Sequence, residues 1–250
     1  MAAVLQTEKL CKSFGALTVA ERIDFRLEPG ARHALIGPNG AGKTTFVNML
    51  TGAIAPTSGK IFLKDQEVTR TSQAARVRLG LGRTFQITTL FRSLPVLDNI
   101  ALAVAERRGD AQRMWHPASA HREIIDESLE LLATLGLADD AAAAAQDLPY
   151  GKQRLVEVAI ALGLRPKVLL LDEPAAGVPS ADTEKILRHL EKLSSGIAIL
   201  IIEHDMDLVF RFAQRITVLV QGQVLVEGPP EEIAADKRVR DVYLGEATRG

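Results

Sequence analysis

Nine residues constrain this chain more than any others: GPNGAGKTT at positions 37–45. The stretch satisfies G-x-x-x-x-G-K-[ST] through Gly37, Gly42, Lys43 and Thr44. The apolar run Ala34-Leu35-Ile36 precedes it and reads as a buried strand, and Phe46-Val47-Asn48-Met49-Leu50 follows as a helix. Strand, glycine loop and helix in that order are the context of a phosphate-binding loop. Glycines let the backbone curl so that successive N–H groups converge on an anion. The helix behind them presents its own N–H groups and the positive end of its dipole. Gly37, Pro38, Asn39, Gly40 and Ala41 are thus candidate binding residues, as are Gly42, Lys43, Thr44 and Thr45. Lys43 brings a point charge for terminal phosphates and Thr44 a hydroxyl for a magnesium ion.

The 250 residues suit one large domain or one domain with a subdomain. A net charge of -1 gives no bulk attraction to nucleic acid or acidic lipid, and no nucleic-acid partner is expected. The single cysteine, Cys11, excludes an internal disulfide, fits a reducing compartment and reads as a small partly buried side chain. The first ten residues lack a basic region followed by an apolar core, so no signal peptide is expected. Apolar runs such as residues 197–202 are far too short to span a bilayer. Any membrane role therefore has to come through a partner.

Along the chain, residues 3–36 read as strands with a turn at Pro29-Gly30. Phe14 lies between the first two, where its ring either stacks on a purine base or packs in the core. Residues 60–63 form a short strand, and a polar, Arg-rich stretch leads to another that closes at Gln86. Residues 98–105 read as a helix, and Ile125, Leu129 and Leu132 mark the face of a second. The run 141–145 either extends a helix or forms a mobile connection. Leu155, Val158, Ala159 and Leu162 line a further helix. Residues 168–171 and 197–202 are continuous apolar runs, as expected of parallel strands covered on both faces. Ser180 reads as the cap of the helix after the first of these. Residues 218–220 and 224–226 flank Gln221-Gly222 as a hairpin. Strands and helices alternate in residues 1–86 and 166–250, whereas 87–165 are mainly helical. The expected fold is α/β: a phosphate-loop nucleotide-binding core, an antiparallel N-terminal β region, and an inserted mainly helical subdomain, all one domain.

Three groups fall just after apolar strands: the phosphate loop, Asp172-Glu173 and His204. In a parallel sheet those ends face one edge, where ligands bind. Asp172 is placed to hold magnesium, and Glu173 to orient or deprotonate a water. His204 is placed to hydrogen-bond a γ-phosphate, or else to cap the helix starting near Asp205. Gln86 offers an amide oxygen to a hard cation, with Thr44 and Asp172 as the other candidate metal ligands. The chemistry implied is in-line attack of water on the γ-phosphate of a Mg-nucleotide.

GPNGAGKTT, Gln86, LPYGKQR at 148–154, VLLLDEP at 168–174 and His204 stand in the order and spacing of ATP-binding cassette (ABC) ATPases, which the chain resembles over essentially its whole length. The resemblance implies ATP and Mg2+ as cofactors, Phe14 as the base-stacking aromatic, Glu173 as the catalytic acid and His204 as the switch histidine. It implies a homodimer or heterodimer with two ATP molecules sandwiched between one subunit's phosphate loop and the other's signature. GRTFQ at 82–86, LPYG at 148–151, EPAAGV at 173–178, IIEHDM at 201–206 and VYLGEA at 242–247 are similar to importers of branched-chain amino acids. Such relatives also carry other amino acids, amides, urea or aromatic acids. The partners implied are integral membrane permease subunits and, indirectly, a substrate-binding protein. The expected place is the cytoplasmic face of the inner (plasma) membrane.

Two positions depart from the family pattern. Pro149 replaces the signature serine, and Pro179 replaces an aspartate that meets the partner subunit. With Pro149 lacking an N–H, Gly151 is the expected close approach to the partner's phosphate. Lys152 faces either an anion across the dimer or solvent. The alternative function is a soluble ABC ATPase in an assembly or repair complex. Repair members carry a long coiled coil between the two halves, and none is present here.

Overall fold

Alternating and continuous hydrophobic runs give this chain two kinds of sheet. The structure, a computed structural model, describes residues 3–84, 90–109, 118–193 and 195–247. In chain order the first elements are β1 (Leu5–Phe14), β2 (Leu17–Leu27), β3 (Arg32–Ile36), α1 (Lys43–Thr51), β4 (Ser58–Leu63), β5 (Gln66–Glu67), α2 (Gln73–Arg78) and β6 (Leu81–Arg83). There follow α3 (Val96–Arg108), α4 (Ala118–Thr134), α5 (Tyr150–Gly163), β7 (Val168–Asp172) and α6 (Ser180–Glu191). The chain then forms β8 (Ala198–Ile202), α7 (Met206–Phe212), β9 (Arg215–Val220), β10 (Gln223–Gly228), α8 (Pro230–Ala235) and α9 (Lys237–Ala247). It divides into two units. The first is Met1–Leu81, Lys167–Glu173 and Ser194–Gly250, and the second is Gly82–Pro166 and Pro174–Leu193.

An antiparallel sheet runs β2-β1-β4-β5, and a second sheet runs β10-β9-β3-β8-β7-β6. β3 is parallel to β8 and β9, and β7 is parallel to β8. Every residue of β7 and β8 is buried, as their continuous apolar sequence requires. Helix α1 covers the sheet through Phe46, Val47, Met49 and Leu50, with the Phe46 ring edge-on to Phe25 at 5.5 Å. β9 and β10 form the expected hairpin, closing between Val220 and Gln223 with left-handed backbone at Gln221 and Gly222.

The second unit holds α3, α4, α5 and α6. The expected apolar face of α5 is buried at Leu155, Val158, Ala159 and Leu162. The face of α4 lies one step round from the expected stripe: Ile124, Ser128 and Leu132 are buried, while Leu129 is 39 % exposed. Ser128 tolerates this by donating its hydroxyl to the Ile124 carbonyl at 2.7 Å. Residues 141–145 neither extend a helix nor hang loose. The N–H groups of Val96 and Leu97 donate to the Ala143 and Ala141 carbonyls, and that of Ala145 donates to Leu94. Ser180 is not a cap: α6 begins at that residue, and Pro179 occupies the capping position.

Candidate functional site

Register places the site. The β3–β8 ladder pairs Leu35 with Ile202, and the β7–β8 ladder pairs Asp172 with the same Ile202. Three adjacent strands therefore finish level, and the residues after them emerge at one edge of the sheet. The phosphate loop, Asp172-Glu173 and Glu203-His204 are brought together in this way.

The loop from Gly37 to α1 is locked in shape by neighbouring backbone. A Cβ on Gly37 would lie 2.1 Å from the Leu219 carbonyl oxygen, and one on Gly42 would lie 2.4 Å from that of Val19. Neither position has room for a side chain, and both have positive φ. Gly42 is the N-cap of α1, so the first-turn N–H groups of that helix open onto the loop. Lys43 turns back over it, donating from Nζ to the carbonyls of Gly37 at 2.6 Å and Pro38 at 3.0 Å. This fixes the ammonium at the mouth of the loop, beside the positive end of the α1 dipole, an arrangement suited to an anion.

Asp172 is buried at the end of β7. Glu173 follows with φ 48, a left-handed conformation rare for a residue with a side chain, and its N–H donates to the Ile202 carbonyl at 2.9 Å. That carboxylate stands 4.0 Å (Oε1) from Nδ1 of His204. His204 does not cap α7. Asp205 does, its Oδ1 accepting from the N–H groups of Asp207 and Leu208. The imidazole is left exposed beside the two strand ends. Among the described residues no three His, Cys, Asp or Glu side chains gather as a metal cage. The hard donors at this edge are the exposed Thr44 hydroxyl and the Asp172 carboxylate, a set suited to a cation that also binds phosphates and water.

Phe14 ends β1 opposite Leu17, 51 % exposed, with the Lys12 ammonium 4.9 Å from its ring centre. Core packing is therefore not its role. The same β1–β2 hairpin supplies Val19, whose carbonyl abuts Gly42. Gln86 lies outside the described residues. Gly151 belongs to the second unit, buried in the first turn of α5, where a Cβ would lie 3.2 Å from Cβ of Asp182. Its neighbour Lys152 faces neither solvent alone nor an unknown anion: Nζ donates to Asp140 Oδ2 at 2.7 Å and Oδ1 at 2.9 Å.

Three residues were not visible as important from sequence. Arg76 is almost wholly buried, and its guanidinium donates to the carbonyls of Met49, Leu50 and Thr69, closing the C-terminus of α1. Burial lowers the pKa of this group from its ordinary value. Glu203 is a buried carboxylate whose Oε2 accepts the His204 N–H at 3.2 Å. His33, on β3, is buried with Nε2 2.8 Å from the Thr217 hydroxyl, which donates to Glu227. Burial pushes the His33 pKa down to about 4; Glu227 opposes that shift and Arg215 adds to it.

Residues 20–176 match the family model described as ABC transporter, and residues 223–248 match that of the branched-chain amino acid ATP-binding cassette transporter. The chain is 38 % identical over 251 residues to the high-affinity branched-chain amino acid transport ATP-binding protein LivG of Escherichia coli K12, covering 98 % of each. It is 36 % identical to the corresponding protein BraF of Pseudomonas aeruginosa, again covering 98 % of each. Among solved structures, the ADP conformation of MJ1267, an ATP-binding cassette of an ABC transporter, superposes with a TM-score of 0.86 at 29 % identity, covering 98 % of this chain and 100 % of that one. A nucleotide-free cassette from an ABC transporter gives 0.85 at 28 % identity, covering 96 % and 98 %.

Proposed function

The chain belongs to the ABC transporter family, and on that premise we propose that it is the ATP-binding and ATP-hydrolysing subunit of a membrane importer for branched-chain amino acids or related small molecules. The observation that carries this reading is the level ending of β3, β7 and β8, which gathers a phosphate loop, an acidic pair and a histidine on one sheet edge. The names of the LivG and BraF relatives support the cargo class.

In this reading the loop backbone and Lys43 hold the β- and γ-phosphates of ATP, and Phe14 stacks on the base. Thr44 and Asp172, with Gln86, hold Mg2+, which neutralises charge on the phosphates. Glu173 receives the proton of a water attacking the γ-phosphate as the bond to ADP breaks. His204 hydrogen-bonds the γ-phosphate. Gly151 faces the nucleotide of a second cassette, identical or related. Among the described residues no helix is long and apolar enough to cross a membrane. Attachment at the cytoplasmic face through permease subunits, served in turn by a substrate-binding protein, fits that fact.

The test is Lys43→Ala in purified protein, with circular dichroism as the folding control. ATP turnover should fall to background while the fold persists; parental turnover in the folded variant overturns the reading. Co-expression with candidate permease subunits should carry the chain to the membrane pellet, and the chain alone should stay in the supernatant.

A further inference from the structure

His204 is addressed by two carboxylates, and only one of them belongs to the reading above. Its Nδ1 stands 4.0 Å from Glu173 Oε1 and 3.9 Å from Glu203 Oε2. Neither distance is a hydrogen bond, and a small turn of the exposed ring brings Nδ1 within reach of one carboxylate or the other. The ring is therefore poised between two acceptors at equal range. The two acceptors differ in freedom. Glu173 is part-exposed, whereas the Glu203 side chain is 1 % exposed. Glu203 is also tied to the same residue through its backbone, accepting the His204 N–H at 3.2 Å. It follows Ile202, the residue that the ladders set level with both Leu35 and Asp172. A buried carboxylate fixed in this way cannot swing toward a ligand, but it can hold a neighbour.

We propose that Glu203 is a positioning residue for ATP hydrolysis, acting through His204. It accepts the Nδ1 proton of His204, orienting the ring and turning Nε2 outward. It also competes with Glu173 for that proton. While Nδ1–H is directed to Glu203, the Glu173 carboxylate keeps its lone pairs for the attacking water. Without Glu203 the imidazole closes on Glu173, and the base is occupied by its own neighbour. The inference rests on the ATPase reading, and it assigns a role to a carboxylate to which that reading gives none.

Glu203→Gln is the deciding variant. It is isosteric and retains an amide oxygen for the His204 N–H, and the urea midpoint of each variant separates a loss of stability from a loss of positioning. The expected result is a kcat reduced by about tenfold or more, in the range set by misplacing a group near the chemistry, with the Kd for a fluorescent ATP analogue within about twofold of the parent. Glu203→Asp should recover part of the loss. In the His204→Ala background the Glu203→Gln substitution should have no further effect on kcat. Nitrogen NMR of the His204 ring should report a proton on Nδ1 in the parent and its displacement in Glu203→Gln. A parental kcat in folded Glu203→Gln, or a ring-nitrogen signal unchanged by it, overturns the proposal. A parent chain that does not turn over ATP overturns the ATPase reading instead, and the ring-nitrogen measurement still decides what Glu203 holds.

Discussion

Arg76 donates from Nη1 to the Met49 carbonyl at 2.6 Å, closing the end of α1 opposite the phosphate loop. The same nitrogen reaches Leu50, Nη2 reaches Thr69, and Nε reaches the Thr71 hydroxyl. A helix leaves its last carbonyls without partners, and a buried cation at that end satisfies both the acceptors and the dipole. Arg76→Met keeps the bulk and removes every donor. Buried carbonyls would then lose their partners, at a cost of about 3 kcal/mol. Urea unfolding should show the midpoint falling by that equivalent. Arg76→Lys, a point charge in place of a planar fork, should recover less than half.

His33 makes stability fall on the acid side. Its folded pKa of about 4 lies below the ordinary 6.5, so the unfolded chain binds more protons between those values. The contribution is therefore complete above about pH 6.5 and is lost as pH falls toward 4; the full shift corresponds to about 3 kcal/mol. His33→Gln should be less stable than the parent at pH 7, because the bond to Thr217 is altered, yet its stability should decline less between pH 6.5 and 4. Denaturant unfolding at three pH values measures both slopes. Parallel slopes would show that His33 does not titrate on unfolding.

Lys152 pairs with Asp140 at 2.7 Å within its own chain. The lysine side chain is 44 % exposed, so solvent screening limits the pair to under about 1 kcal/mol. Lys152→Met and Asp140→Asn should each cost little, and a double-mutant cycle should show a coupling of about 0.5 kcal/mol that disappears in 1 M salt. A zero coupling at low salt would mean that the pair does not hold the start of α5.

What could be read from sequence was whatever is contiguous. GPNGAGKTT, Asp172-Glu173 and His204 each carry their chemistry within a few residues and follow an apolar strand, so parallel pairing alone aligns them. The hairpin at Gln221-Gly222 was legible for the same reason. The parts that were not legible depend on partners distant in the chain. Arg76 sits in a polar, Arg-rich stretch, and its acceptors Met49 and Leu50 lie 27 and 26 residues away. Asp140 is 12 residues from Lys152, across a low-complexity run. The α4 face was misplaced because polar Ser128 is the buried residue and its apolar neighbour Leu129 the exposed one, an inversion that only packing decides.

Glu173 holds a backbone conformation that its type disfavours, with φ 48 at the end of β7. Left-handed backbone costs a residue bearing a Cβ roughly 1 kcal/mol, whereas glycine adopts it freely. Such strain at a strand end persists only where the surrounding structure imposes it, and here the Glu173 N–H is held by the Ile202 carbonyl at 2.9 Å. Glu173→Ala and Glu173→Gly both remove the carboxylate, so both should lose ATP turnover. They differ in the backbone they prefer. At an ordinary position alanine is the more stabilising of the two, because glycine gives the unfolded chain more freedom. At position 173 the order should reverse, with Glu173→Gly unfolding at a higher temperature than Glu173→Ala by the equivalent of about 1 kcal/mol. Calorimetry on the two variants without nucleotide makes the comparison free of any ligand effect. If Glu173→Ala proved the more stable, no strain would be stored at position 173, and its conformation would be set by the chain around it without cost.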